Sequence, residues 1–157
     1  MVNCPPTRVL FLDFDGPMVP MNASWSSRDC IGEEYTPFDP AAVEAVLRVL
    51  TEAHTKLVIS SSWRNIGYER MADLLEREGI NKSHLHDDWS IDFSYDVGMG
   101  ERARFIQAWL DRHPEIDHYG IVDDLPMDIP NLIKVSTFDG MSKENRLNLF
   151  KLFNLNN

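Results

Sequence analysis

Residues 8–16 read Arg8-Val9-Leu10-Phe11-Leu12-Asp13-Phe14-Asp15-Gly16. Five β-capable residues, four of them apolar, run without a break into two aspartates and a glycine, the pattern of a strand buried on both faces that ends in a polar loop. The run is too short for a membrane span or a signal-peptide core, and Asp13 closes it.

Further along the chain the pattern repeats. Lys56 to Ile59 is a second apolar run and enters Ser60-Ser61-Ser62, while His118 to Val122 is a third and enters Asp123-Asp124. Asn131 to Val135 is a short final strand. Between these runs the spacing turns helical. Asp39-Pro40 is a helix start, with Asp39 as N-cap and Pro40 in the first turn, and Val43, Val46, Leu47 and Leu50 form the apolar stripe. Met71, Leu74 and Leu75 mark a second helix that stops near Gly79. Phe105, Ile106, Trp109 and Leu110 mark a third over Glu101 to Arg112, ended by His113-Pro114. Leu147, Phe150 and Phe153 mark a fourth behind the N-cap Ser142. The stretches 17–38 and 84–100 show no sustained period and read as irregular, the second with room for one short strand.

Strands alternating with helices predict an α/β fold, a single three-layer α/β/α domain over residues 1–157 with a parallel sheet covered on both faces. Ligands of such sheets lie at the carboxyl ends of the strands. Asp13, Asp15, Ser60, Asp123 and Asp124 are therefore expected to converge on one edge. Four carboxylates there repel one another unless a cation sits among them. Oxygen donors without a Cys or His cluster favour a hard ion, and Mg²⁺ suits a few carboxylates with retained waters.

Composition narrows the partners. The chain has 157 residues with 15 Lys plus Arg against 25 Asp plus Glu, a formal net charge of -10. A general nucleic-acid coat needs the opposite balance, although a local basic pocket remains compatible with it. Two cysteines, Cys4 and Cys30, are too few for a disulfide framework, and free thiols point to the cytoplasm. The five histidines show no metal-ligand spacing.

The ordered motifs resemble those of the haloacid dehalogenase (HAD) superfamily of aspartyl-phosphate-forming phosphatases. Leu10 to Gly16 resembles its first motif, Leu57-Val58-Ile59-Ser60 its second, and Ile121-Val122-Asp123-Asp124 its fourth, with Asp128 a further acidic residue nearby. Arg102, at the start of the third helix, fits the third motif, with Arg104 as the competitor. Val58 to Arg64, Gln107-Ala108-Trp109-Leu110 and Gly140-Met141-Ser142 are similar to small capless HAD domains of RNA-repair proteins. Pro17 and Met18 depart from the residues that usually follow the first motif.

The resemblance implies a Mg²⁺-dependent phosphomonoester hydrolase. Asp13 is then the nucleophile and Asp15 the general acid and base. Mg²⁺ is held by Asp13, the Asp15 backbone carbonyl and Asp124. Asp123 stands behind the metal and orients Arg102 or a metal-bound water. Ser60, or alternatively Ser61, donates to the phosphoryl group and Arg102 stabilises its charge. Roughly 44 residues separate Asp15 from Ser60 and roughly 41 separate Ser60 from Arg102, much of each filled by a helix and its connections, so no independent cap is expected. An open cleft suits a phosphorylated small molecule or a nucleic-acid end, with Ser61, Trp63 and Arg64 as substrate-binding candidates. Trp25, Trp89 and Tyr95 are further stacking candidates beside the loops. The contrasting reading is a catalytically silent module of the same fold that binds a phosphorylated partner.

Overall fold

The computed structural model describes residues 4–22, 37–91 and 101–156. Five parallel strands form one sheet: β1 (Arg8–Leu12), β2 (Lys56–Ile59), β3 (Leu85–Ser90), β4 (His118–Asp123) and β5 (Leu132–Lys134). Their order is β3-β2-β1-β4-β5. β1 is central, and Leu12 pairs with Ile59 on one side and Val122 on the other. The direction of winding reverses at β1, and such a switch point opens a crevice at the carboxyl ends of the strands.

Among the described residues, four α-helices pack on the sheet: α1 (Pro40–Glu52), α2 (Tyr68–Arg77), α3 (Glu101–Asp111) and α4 (Lys143–Leu152). Alternation along β1 divides the core. Leu10 and Leu12 join the buried faces of α1, α2 and α4, including Val46, Leu75 and Phe150. Val9 and Phe11 face the other way, with Ile106 and Trp109 of α3. Burying each such large side chain contributes about 1.5–3 kcal/mol. The expected α/β/α layering and parallel sheet are therefore present, and β1 lies at the centre of the sheet. Among the described residues no cap interrupts the sheet, and no helix is long and apolar enough to cross a membrane.

Local signals act where the sequence placed them. Asp39 accepts a hydrogen bond from Ala41 N at 3.1 Å, with Pro40 following. Ser142 and Asn145 form a reciprocal cap on α4, an arrangement that stabilises a helix by about 1 kcal/mol. Gly79 takes φ +87° just past α2.

The stretch 84–100 holds the one short strand for which its irregular reading left room. Residues 85–90 form a six-residue strand, β3, while residues 92–100 lie outside those described. β3 is an edge strand whose register with β2 shifts between Leu57 and Ile59. Edge position tolerates the polar residues His86, Asp87 and Asp88, which hid the strand's alternation. Trp25, Cys30 and Tyr95 also lie outside the described residues, and Cys4 is a free, exposed thiol.

Candidate active site

The strand register places the chemistry. Asp13 N donates to Val122 O at 3.0 Å and Ser60 N donates to Leu12 O at 3.0 Å. The residues just past β1 and β2 are thereby tied level with the end of β4. Asp13, Ser60, Ser61 and Asp123 are all buried, an unusual gathering of polar groups in a core. Oxygens of Asp13, Asp123 and Asp124 lie within 4.8 Å of one another.

Arg102 enters from the start of α3. Its Nη1 lies 2.7 Å from Asp123 Oδ2 and 3.3 Å from Asp13 Oδ2. Arg104 points elsewhere, with a side chain 79% exposed and paired with Glu101. Asp123 Oδ1 also accepts from Leu125 N at 2.9 Å. One guanidinium thus bridges two of the three clustered carboxylates. Burial, then Asp123 and Asp124, push Asp13 up to about 8 against the pull of Arg102. Burial also raises Asp123, opposed by Arg102 and the Leu125 N–H.

That imbalance tests the fit of a divalent cation. Three clustered carboxylates with one compensating positive charge form an all-oxygen donor set suited to a hard ion. The loop geometry protects the set. Gly16 has φ +101°, and a Cβ built there meets Asp124 Oδ2 at 2.8 Å. Only glycine lets the first loop lie against Asp124. Thr137 Oγ1 donates to Asp124 Oδ2 at 2.8 Å, holding that carboxylate from the β5 side. Asp128 is exposed and stands apart from the cluster.

The serines divide their work. Ser61 Oγ accepts from Trp63 N at 3.2 Å and caps a short 3₁₀ helix over Ser62–Ile66. Ser60 Oγ is buried with no hydrogen-bond partner among the described residues. A buried hydroxyl without a partner is costly, and a phosphoryl oxygen at this edge would satisfy it. Arg64 Nη1 donates to Ser61 O at 2.9 Å and so braces the same turn.

Asp15 goes its own way. Its carboxylate is exposed and outside the Asp13–Asp123–Asp124 group. Between the two aspartates Phe14 turns inward, 4.9 Å from the ring of Phe38 and 5.5 Å from that of Trp63. Trp63 Nε1 donates to Asp15 Oδ2 at 3.0 Å. Sequence reading marked Trp63 for substrate contact and missed this hydrogen bond, which joins residues 48 positions apart. Trp89 is half-buried on β3 with its ring 6.1 Å from Tyr68, and Trp109 is fully buried.

A parallel sheet switching at β1, with aspartates past β1 and β4, a serine past β2 and an arginine on α3, defines a HAD-type α/β domain, the class associated with phosphatase-type chemistry. The family model for the HAD domain in Swiss Army Knife RNA repair proteins matches residues 9–145. The chain belongs to that family. No curated protein and no solved structure matches it.

Proposed function

We propose that the protein is a Mg²⁺-dependent phosphatase that forms an aspartyl phosphate on Asp13 and acts on nucleic-acid-end phosphates. The observation that carries this reading is the buried Asp13 carboxylate, held by Arg102 at 3.3 Å and grouped with Asp123 and Asp124. Family membership supports the choice of a nucleic-acid end over a small metabolite.

Asp13 and Asp124, with the Asp15 backbone carbonyl, would hold the metal, and Asp123 would stand behind them orienting Arg102. A bound divalent ion would supply the positive charge that keeps Asp13 ionised and screens the phosphoryl oxygens. An Asp13 carboxylate oxygen attacks phosphorus as the bond to the leaving oxygen breaks, and Asp15 passes its proton to that oxygen. Asp15 then takes a proton from water, the water oxygen attacks phosphorus, and inorganic phosphate leaves with Asp13 restored. Covalent catalysis divides one hard displacement into two easier ones. Ser60 Oγ and the Arg102 guanidinium donate to the phosphoryl oxygens, whose negative charge they stabilise.

The test compares phosphate release from 3′-phosphorylated and 5′-phosphorylated oligonucleotides and from a mononucleotide, with Mg²⁺ and with chelator, for the native chain and Asp13→Asn. The expected outcome is metal-dependent release from an oligonucleotide end, lost by roughly 10³-fold or more in the variant. Equal rates for the two chains remove Asp13 as nucleophile. A preference for the mononucleotide defeats the choice of a nucleic-acid end.

A further inference from the structure

We infer that Trp63 is the positioning residue of the proton-transferring carboxylate: its indole N–H holds Oδ2 of Asp15 and leaves Oδ1 as the oxygen that carries the proton. This inference rests on the phosphatase reading and deepens it at the same site.

An exposed aspartate at the tip of a loop samples several rotamers, and only some present an oxygen to a leaving group. Here one oxygen is engaged, by Trp63 Nε1 at 3.0 Å. The donor itself is well seated. The Trp63 ring stands edge-on to Phe14 at 5.5 Å and tilted to Phe38 at 6.3 Å. Its backbone N–H is fixed on Ser61 Oγ. The Asp15 backbone is fixed as well, through the turn in which Gly16 N donates to Val19 O and Met18 N donates to Phe14 O. Both ends of the hydrogen bond are therefore anchored to the core, one through the loop after β1 and the other through the loop after β2.

An indole nitrogen only donates. The oxygen it holds acts as the acceptor, and since the carbonyl oxygen of a protonated carboxyl is the better acceptor, a proton on Asp15 is favoured on Oδ1. In the first step that proton moves from Oδ1 to the leaving oxygen as the phosphorus–oxygen bond breaks and the Asp13–phosphorus bond forms. In the second, Oδ1 receives a proton from the attacking water. Trp63 exchanges no proton in either step. Its role is to fix which oxygen does so and where that oxygen points.

Leaving-group dependence separates this role from a merely structural one. A poor leaving group, such as a simple alkoxide, needs the proton, whereas 4-nitrophenolate departs nearly without it. Trp63→Phe keeps an aromatic ring and loses the donor. Trp63→His loses bulk and keeps a ring N–H near the same position. With the native chain as reference, kcat/KM of Trp63→Phe should fall roughly 10-fold to 100-fold for an alkyl phosphate, and less than about 3-fold for 4-nitrophenyl phosphate. Trp63→His should keep the ratio of the two substrates within about 3-fold of native. Equal losses for both substrates in Trp63→Phe, or a changed ratio in Trp63→His matching that of Trp63→Phe, overturn the inference.

A second measurement does not depend on catalytic activity. Of the four tryptophans, one indole N–H resonance should move in the ¹⁵N-correlated spectrum of Asp15→Ala, and Trp63→His should identify it as the signal it removes. An unmoved Trp63 resonance also overturns the inference. Absence of activity in the native chain, or full activity in Asp13→Asn, instead strikes the phosphatase reading.

Discussion

Burial and the carboxylates of Asp123 and Asp124 raise Asp13 to about 8 from 3.8. The folded chain therefore holds a proton there between those values that the unfolded chain has released. Stability falls with pH wherever the native state binds more protons, so this group's contribution is full below about pH 4 and lost as pH rises through about 8. Asp123, also raised, acts in the same direction. In chelator, the melting temperature should drop between pH 5 and pH 8, with a shallower drop in Asp13→Asn, where no charge forms on that side chain. Millimolar Mg²⁺ should restore the native chain at pH 8 more than the variant, because ligand binding stabilises the fold it selects. Thermal melts across that pH range read both effects. A native melting temperature that rises from pH 5 to pH 8 in chelator would contradict the assignment of Asp13 and Asp123 as groups buried against their charge.

At the scale of elements, β4 meets α4 through a glycine. A Cβ built on Gly120 lies 2.7 Å from Phe153 Cε2 and 3.0 Å from Leu152 Cδ2, and Phe153 is itself 2% exposed. Gly120→Ala should therefore push the end of α4 off the sheet, at a cost of about 1–3 kcal/mol, measured by urea unfolding. The same scale shows what was legible in the residues. β1 and β4 announce themselves because both their faces are buried, which makes the apolar run continuous. The site aspartates and Ser60 follow from them, since each stands just past a strand or at its end, and parallel pairing brings those ends to one edge. β3 is legible only as room for one short strand, without bounds, because an edge strand needs no such run. The 3₁₀ helix over Ser62–Ile66 escapes because its Ser61 cap is too common a local signal. The direction of the Asp15 side chain escapes for another reason: its partner Trp63 belongs to a different loop, and only the packing of Phe14, Phe38 and Trp63 brings the two together.

Across the whole molecule, a net charge of -10 opposes the approach of a polyanion. Proteins that hold nucleic acid through many basic contacts lose affinity steeply as salt rises, because binding releases counterions. Here the described site contributes few cations: Arg102, which faces Asp13 and Asp123, and Arg64 on the turn after β2. If the substrate is a nucleic-acid end, as proposed, long-range repulsion acts on the strand while attraction is confined to the terminal phosphate. Salt screens exposed charges beyond about 10 Å at 0.1 M and leaves partly buried pairs less affected. Screening should then remove more repulsion than attraction. At fixed Mg²⁺, kcat/KM for a phosphorylated oligonucleotide should hold steady or rise as monovalent salt increases from about 20 to 150 mM, a range over which the screening length shortens by at most about 2.7-fold. The aryl phosphate, with little charge beyond its own phosphate, should change less. A decline in the oligonucleotide value steeper than the first power of salt would mean that several phosphates are neutralised along the strand, and would move recognition from the phosphorylated end to a basic track.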